Sequence, residues 1–244
     1  MSNSLEICAN SFTSALAAQD GGANRVELCE NMAEGGTTPS YAQIKLCKKK
    51  LSIEIWPIIR PRGGDFLYSD VEFELMKEDV TMCKSLKCDG VVLGILLANG
   101  DIDRKRCIEL INLASPMPVA FHRAFDMSND LTKALEDLIT LGFARVLTSG
   151  HAENALKGMK NIAKLVQQSY GRIEIMPGAG INANNIQEIA LKTGAKSFHS
   201  SARIAVESKM EYRNSKTKMG SIEDEYVFQQ TSVDLVKQMV EKLR

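Results

Sequence analysis

The sequence predicts an α/β fold, a (β/α)8 barrel of the TIM type, and three observations carry that reading. Short apolar runs alternate with amphipathic stretches along the whole chain, making eight strand–helix units. The 244 residues match the length at which eight such units close on themselves. Glycines stand where helices should stop, at Gly21, Gly142 and Gly194, and glycine readily adopts the left-handed stop conformation. A doubly wound open sheet is the competing arrangement, but no GxGxxG turn follows the first apolar run. Residues 1–244 therefore read as a single barrel domain.

Leu5–Cys8 is the first predicted strand, and Ser11 caps a helix ending near Gly21-Gly22. Arg25–Cys29 is the second, and the loop Glu34-Gly35-Gly36-Thr37-Thr38-Pro39 leads to a helix from Ser40 to Lys49. Ser52–Arg60 is the third strand, rich in β-branched residues. Ser69 or Asp70 caps the next helix, which carries Phe73, Met76, Val80 and Cys83 at helical spacing. Gly90–Leu93 precedes a helix over Asp103–Ala114, and Pro118–Arg123 precedes one over Asp130–Leu141. Arg145–Thr148 pairs with the helix Asn154–Gln168, and Arg172–Met176 with Ala183–Lys192. Lys196–His199 is the eighth strand, and the last helix runs from Ser232 to Leu243. Between them, an irregular excursion at 203–231 breaks the rhythm. Loops of this length are usually functional or disordered. This one reads as an extra short helix in a packing excursion, or as a lid over the barrel mouth with Arg213 as a ligand contact.

Lys+Arg and Asp+Glu both total 30, so the surface lacks the basic excess that nonspecific binding of nucleic acid or acidic membrane needs. No apolar segment is long enough to cross a bilayer. Met1 to Asn10 has neither a basic start nor a long apolar run, so no signal peptide is read and a cytoplasmic location is expected. The six cysteines form no CxxC pair, and in that compartment they stay reduced.

Barrel chemistry sits where strands end and loops begin. The third strand stops at Arg60; Arg62, the paired glycines Gly63-Gly64 and Asp65 follow, a place for something anionic. Glu6 and Glu27 interrupt apolar strands in a shared pattern, with Cys8 and Cys29 two residues on. Alternation puts each Glu on the same face as its Cys. If that face points inward, two carboxylates and two thiols gather on strands roughly 4.8 Å apart. Buried carboxylates need cationic or donor partners, and Arg60, Arg123 and His122 are the candidates. The alternative reading of the glutamates is a structural ion-pair network filling the barrel.

His122, Arg123 and Asp126 close the fifth strand, and Thr148 and Ser149 close the sixth with two hydroxyls. After the seventh, Gly178 and Gly180 form a glycine-rich turn entering a helix, a place where backbone N–H groups approach an anion. His199, Ser200 and Ser201 end the eighth. Loops after the seventh and eighth strands are the usual phosphate grip of this fold.

Several segments together resemble the CutC family of copper homeostasis proteins. They are Arg25-Val26-Glu27-Leu28-Cys29, Glu34 to Ser40, Pro57 to Phe66, Phe121 to Asp126, Arg145 to Gly150, and His199-Ser200-Ser201. The resemblance covers Leu5 to about Asn214. It implies a cytoplasmic (β/α)8 barrel, a homo-oligomer (dimer or tetramer), a role in copper handling, and copper held by the cysteines that match Cys8 and Cys29. The residues by themselves read those two first as buried core thiols, although two thiolates on neighbouring strands suit soft Cu(I).

Two functions are therefore expected. In the first, the barrel takes an anionic or phosphorylated small molecule: Arg60 and Arg62 clamp it, Gly178 and Gly180 grip phosphate, His122 or Glu27 serves as acid/base, and Glu6 orients its partners. In the alternative, Cys8 and Cys29 bind or buffer Cu(I) without catalysis.

Overall fold

A computed structural model describes residues 3–214, 216–219 and 224–244. The first barrel half runs β1 (Ser4–Ala9), α1 (Phe12–Asp20), β2 (Arg25–Leu28), α2 (Tyr41–Lys50), β3 (Glu54–Pro57), α3 (Asp70–Ser85), β4 (Val91–Leu93) and α4 (Arg104–Ala114). The second runs β5 (Val119–Phe121), α5 (Leu131–Leu141), β6 (Arg145–Thr148), α6 (Ala155–Ser169), β7 (Glu174–Pro177), α7 (Ile186–Thr193) and β8 (Ser197–Ser200). A hairpin, β9 (Arg203–Glu207) and β10 (Val227–Thr231), precedes α8 (Val233–Leu243).

The eight barrel strands are the expected eight, in a parallel (β/α)8 arrangement. They form two four-stranded arcs, β3-β2-β1-β8 and β4-β5-β6-β7. The arcs meet through one bridge, Ile58 with Val92, supported by the Ile59 N–H donating to the Val92 carbonyl at 2.7 Å. On the other side β7 and β8 pack together with no ladder between them among the described residues.

Helix starts are set by short polar side chains that accept otherwise unpaired N–H groups. Ser11, Ser40, Asp103, Asp130, Asn154 and Ser232 each do so, and Ser69 with Glu72 completes a capping box at α3. Alternation then sorts the strands. Leu5, Ile7, Ala9, Val26 and Leu28 face the helices in the main apolar core. Each Leu or Ile fully buried there contributes about 1.5–3 kcal/mol. Glu6, Cys8, Glu27 and Cys29 are left to the inner face.

Three local expectations change. β3 ends at Pro57 and not at Arg60: Ile58 and Ile59 reach Val92 through a lone bridge, and Arg60 pairs with the preceding loop, its N–H donating to Thr38 Oγ1 at 3.0 Å and Thr38 N–H to its carbonyl at 3.0 Å. Gly142 and Gly194 are left-handed stops, but Gly21 is right-handed (φ −78°) and the left-handed residue is Gly22. A Cβ on Gly21 would come within 2.5 Å of Val236, so α8 sets that glycine. The excursion at 203–231 is an antiparallel ribbon at its base, not an irregular loop, with Val227 opposite Glu207. Residues 215 and 220–223 of the excursion lie outside the described residues.

Candidate functional site

Three sulfurs meet inside the barrel. The β1–β2 register puts Cys8 level with Glu27, and Cys29, one residue past β2, donates its N–H to the Ala9 carbonyl at 2.9 Å. The two Sγ atoms lie 3.4 Å apart. Asn31 then turns the chain with a left-handed backbone (φ 52°) into a single 3-10 turn, Met32–Glu34. That reversal lays the Met32 Sδ 3.0 Å from the Cys29 Sγ and 3.6 Å from the Cys8 Sγ. The Cys29 contact and burial hold the Cys8 thiol well above its ordinary pKa. His199 from β8 and Glu27 from β2 complete the cluster, with their ligand atoms and the Cys8 Sγ all within 4.8 Å of one another.

A buried charge network adjoins the sulfurs. Glu6 accepts from Arg25 Nε at 2.6 Å and from Arg145 Nη1 at 3.4 Å, and its other oxygen lies 2.8 Å from His199 Nδ1. Burial pushes the Glu6 carboxyl up, but the His199 hydrogen bond and the charges of Arg25, His199 and Arg145 together pull it down to about 2. Glu6 is therefore an anion. Burial opposes a charge on His199, yet Glu27, a Cys8 contact and Glu6 raise it well above its usual value. Burial raises the pKa of Glu27 itself. The guanidinium carbon of Arg145 sits 4.0 Å over the Trp56 ring and that of Arg25 5.7 Å over it, so an aromatic face also supports the two cations.

A cavity of about 480 Å³ opens beside these groups. Cys8 and Glu27 line it from the first two strands, Met32 from the turn after β2, His199 from the eighth strand, and Arg60 and His122 from the third and fifth strand ends. Arg60 is only 5% exposed. Its Nη1 donates to the Glu34 carbonyl at 2.6 Å and the Gly36 carbonyl at 2.7 Å, and its Nη2 to the Gly64 carbonyl at 2.8 Å. His122, 4% exposed, accepts the Ala124 N–H on Nδ1 at 3.2 Å. That bond assigns the ring proton to Nε2. Burial, and then the Arg60 charge, lower the His122 pKa to about 3, so the ring is neutral.

Comparison with known proteins decides the family. A sequence model of the CutC family matches residues 3–204. The chain belongs to the CutC family. A CutC family protein of Chromobacterium violaceum is 50% identical over 244 residues, covering 100% of this chain and 99% of that protein. The human copper homeostasis protein cutC homolog is 49% identical over 217 residues, 89% of this chain and 80% of that one. A crystal structure of the candidate copper homeostasis protein CutC from Streptococcus agalactiae superposes with a TM-score of 0.78 at 39% identity, covering 82% of this chain and 98% of that one.

The residues that the sequence marks for the site are distributed unevenly about the cavity. Glu27, Cys8, Arg60, His122, Arg123, Gly180, His199, Ser200 and Ser201 line it, while Cys29 and Glu6 lie just behind Cys8 and His199. Arg62, Asp65, Asp126, Thr148, Ser149, Gly178 and Arg213 do not line it. Arg62 donates to Asp65 at 2.9 Å and Glu72 at 2.6 Å, tying the loop to α3. Gly178 donates its N–H to the Thr148 carbonyl at 2.9 Å, and a Cβ there would come within 2.5 Å of Leu147, so it is a packing glycine and its amide is occupied. Arg213 bonds the Ser208 carbonyl and lies over Tyr226 on the ribbon.

Asp126 is the acceptor that shapes the loop after β6. It takes bonds from Thr148 Oγ1 at 2.5 Å, Ser149 N–H at 2.9 Å, His151 N–H at 3.2 Å and Arg123 Nε at 2.8 Å. The expected partners of the buried glutamates change as well. They are Arg25, Arg145 and His199, not Arg60, Arg123 or His122, because the register sets Arg25 beside Glu6. Met32, Arg25 and Arg145 are site residues that no pattern in the sequence marks, Met32 lying three residues past Cys29 across the left-handed Asn31.

Proposed function

We propose that the chain binds Cu(I) at Cys8, Cys29 and Met32, and that this site is its part in copper homeostasis. The single observation behind the reading is the sulfur triangle, with sides of 3.0, 3.4 and 3.6 Å. One ion touches all three corners of such a triangle at metal–sulfur bonds of about 2.3 Å. Two thiolates and a thioether are a soft donor set, and softness selects Cu(I) over harder cations. Bound copper would supply only a soft cation at this wall. The protein's groups supply the rest: Glu6 fixes the His199 ring through Nδ1, leaving Nε2 facing Cys8 and Glu27, as a carboxylate behind a metal-facing histidine does. The names of the human and mouse relatives, copper homeostasis protein cutC homologs, support the same reading. Reduced thiols are required, which agrees with a cytoplasmic location.

The test is an anaerobic Cu(I) titration in competition with a chromophoric chelator. The wild type should retain one equivalent, and the Cys8→Ser/Cys29→Ser double variant should retain none while keeping its circular dichroism. Full retention by a folded double variant refutes the assignment. A second reading, a small anionic ligand in the same cavity, is favoured by one observation: the buried Arg60 guanidinium has no carboxylate partner among the described residues.

A further inference from the structure

We propose that Arg60 Nε–H and His122 Nε2–H together hold the carboxylate of a small organic acid in the cavity that also carries the three sulfurs. The proposal rests on the anionic-ligand reading and names its chemical class and its two donors.

Both donors are rigidly placed. The Arg60 guanidinium is pinned at Nη1 and Nη2 by the Glu34, Gly36 and Gly64 carbonyls. The His122 ring is wedged against β4, since a Cβ on Gly94 would come within 2.6 Å of it. The Phe66 ring packs against both, 5.0 Å from the His122 ring and 5.1 Å from the Arg60 guanidinium carbon. Three polar atoms remain over, the Tyr68 hydroxyl and two on these side chains. Both side chains line the cavity, and Arg60 Nε and His122 Nε2 are buried without a hydrogen-bond partner. A buried donor without an acceptor costs about 1–3 kcal/mol. Two such donors on neighbouring side chains describe the acceptor they lack.

Charge narrows the class. Arg60 brings one uncompensated positive charge, and its three bonded partners are neutral carbonyls. His122 adds a donor without adding charge, because its Nδ1 is an acceptor of the Ala124 N–H. The pair suits a monoanion with two acceptor oxygens. A cavity of about 480 Å³ admits an organic acid of metabolite size.

The test is isothermal titration of the full-length protein with a panel of monocarboxylates from propionate to phenylacetate, their uncharged amides, and inorganic phosphate. At least one carboxylate should bind with a Kd tighter than about 10 mM, and its amide about tenfold more weakly. His122→Phe should weaken that carboxylate about tenfold, and His122→Gln, which restores an N–H, should recover part of the loss. Binding should be the same in protein stripped of metal by a chelator, which separates this result from the copper reading. Urea unfolding of each variant confirms that it is folded. If no anion in the panel binds the folded wild type, the anionic-ligand reading and this proposal both fall. If phosphate binds and carboxylates do not, or if folded His122→Phe binds as well as wild type, the proposal falls while that reading survives.

Discussion

Replacing His122 with phenylalanine measures how much stability a neutral, buried imidazole takes from the protein in acid. The ring's ordinary pKa is 6.5, and burial followed by the Arg60 charge lowers it to about 3 in the folded state. Between those values the unfolded chain binds a proton that the folded chain refuses. Stability therefore falls as pH falls through this window. Each pKa unit is worth about 1.36 kcal/mol, so moving from about pH 7.5 to about pH 4.5 removes about 2.7 kcal/mol from the wild type through this group. His199 acts in the opposite sense. Its folded value is raised, so its contribution is fully present below its ordinary 6.5 and is lost as pH rises. That contribution is common to wild type and variant and cancels in their difference. His122→Phe also loses the acceptor for the Ala124 N–H, about 1 kcal/mol at every pH. The assay is urea unfolding of both proteins at the two pH values. The wild-type loss should exceed the variant's by about 2–3 kcal/mol. Equal pH dependence would mean that the ring charges inside the folded protein, and the reasoning would fail.

Three further outcomes follow from the same geometry. Glu6→Gln leaves Arg25, Arg145 and His199 without their shared anion and should cost about 3–5 kcal/mol in urea unfolding at neutral pH. The wild-type contribution of Glu6, whose pKa is lowered from 4.5 to about 2, is present above pH 4.5 and should fade as acid takes the protein through that interval; a variant as stable as wild type at neutral pH would contradict the network. Met32→Leu should change stability by less than about 1.5 kcal/mol but weaken Cu(I) in chelator competition by tenfold or more, about 1.4 kcal/mol; unchanged affinity would remove the thioether from the site. Gly158→Ala sets a Cβ 1.8 Å from the Ser149 carbonyl oxygen, where α6 presses on the loop after β6, and should lower stability by about 3 kcal/mol, with an unchanged thermal midpoint counting against that contact.

The barrel was legible because eight apolar runs and their helix caps repeat a unit that only a few architectures accept. Alternation also foretold that Glu6, Cys8, Glu27 and Cys29 share a face, and they do. The partners of the glutamates were not legible. Arg25 and Arg145 look like strand boundaries in the sequence, and only the parallel register carries them inward to Glu6. Met32 was hidden because its place depends on a left-handed Asn31 that folds the next turn back over Cys29. Arg60 was visible as a cation at a strand end. Two of the three carbonyls that capture it, those of Glu34 and Gly36, come from the loop after β2 folding beneath it, which no local pattern encodes.

The two arcs of the barrel bear on this last pair. Cys8, Cys29, Glu27 and His199 all stand on one hydrogen-bonded arc, so ladder spacing fixes their geometry, and Met32 folds over them from the turn after β2. Arg60 and His122 stand on either side of the seam between the arcs, one following β3 and the other β5, where a single bridge does the joining. A molecule grasped by both would act as a rivet between half-barrels, across a joint that one bridge otherwise closes.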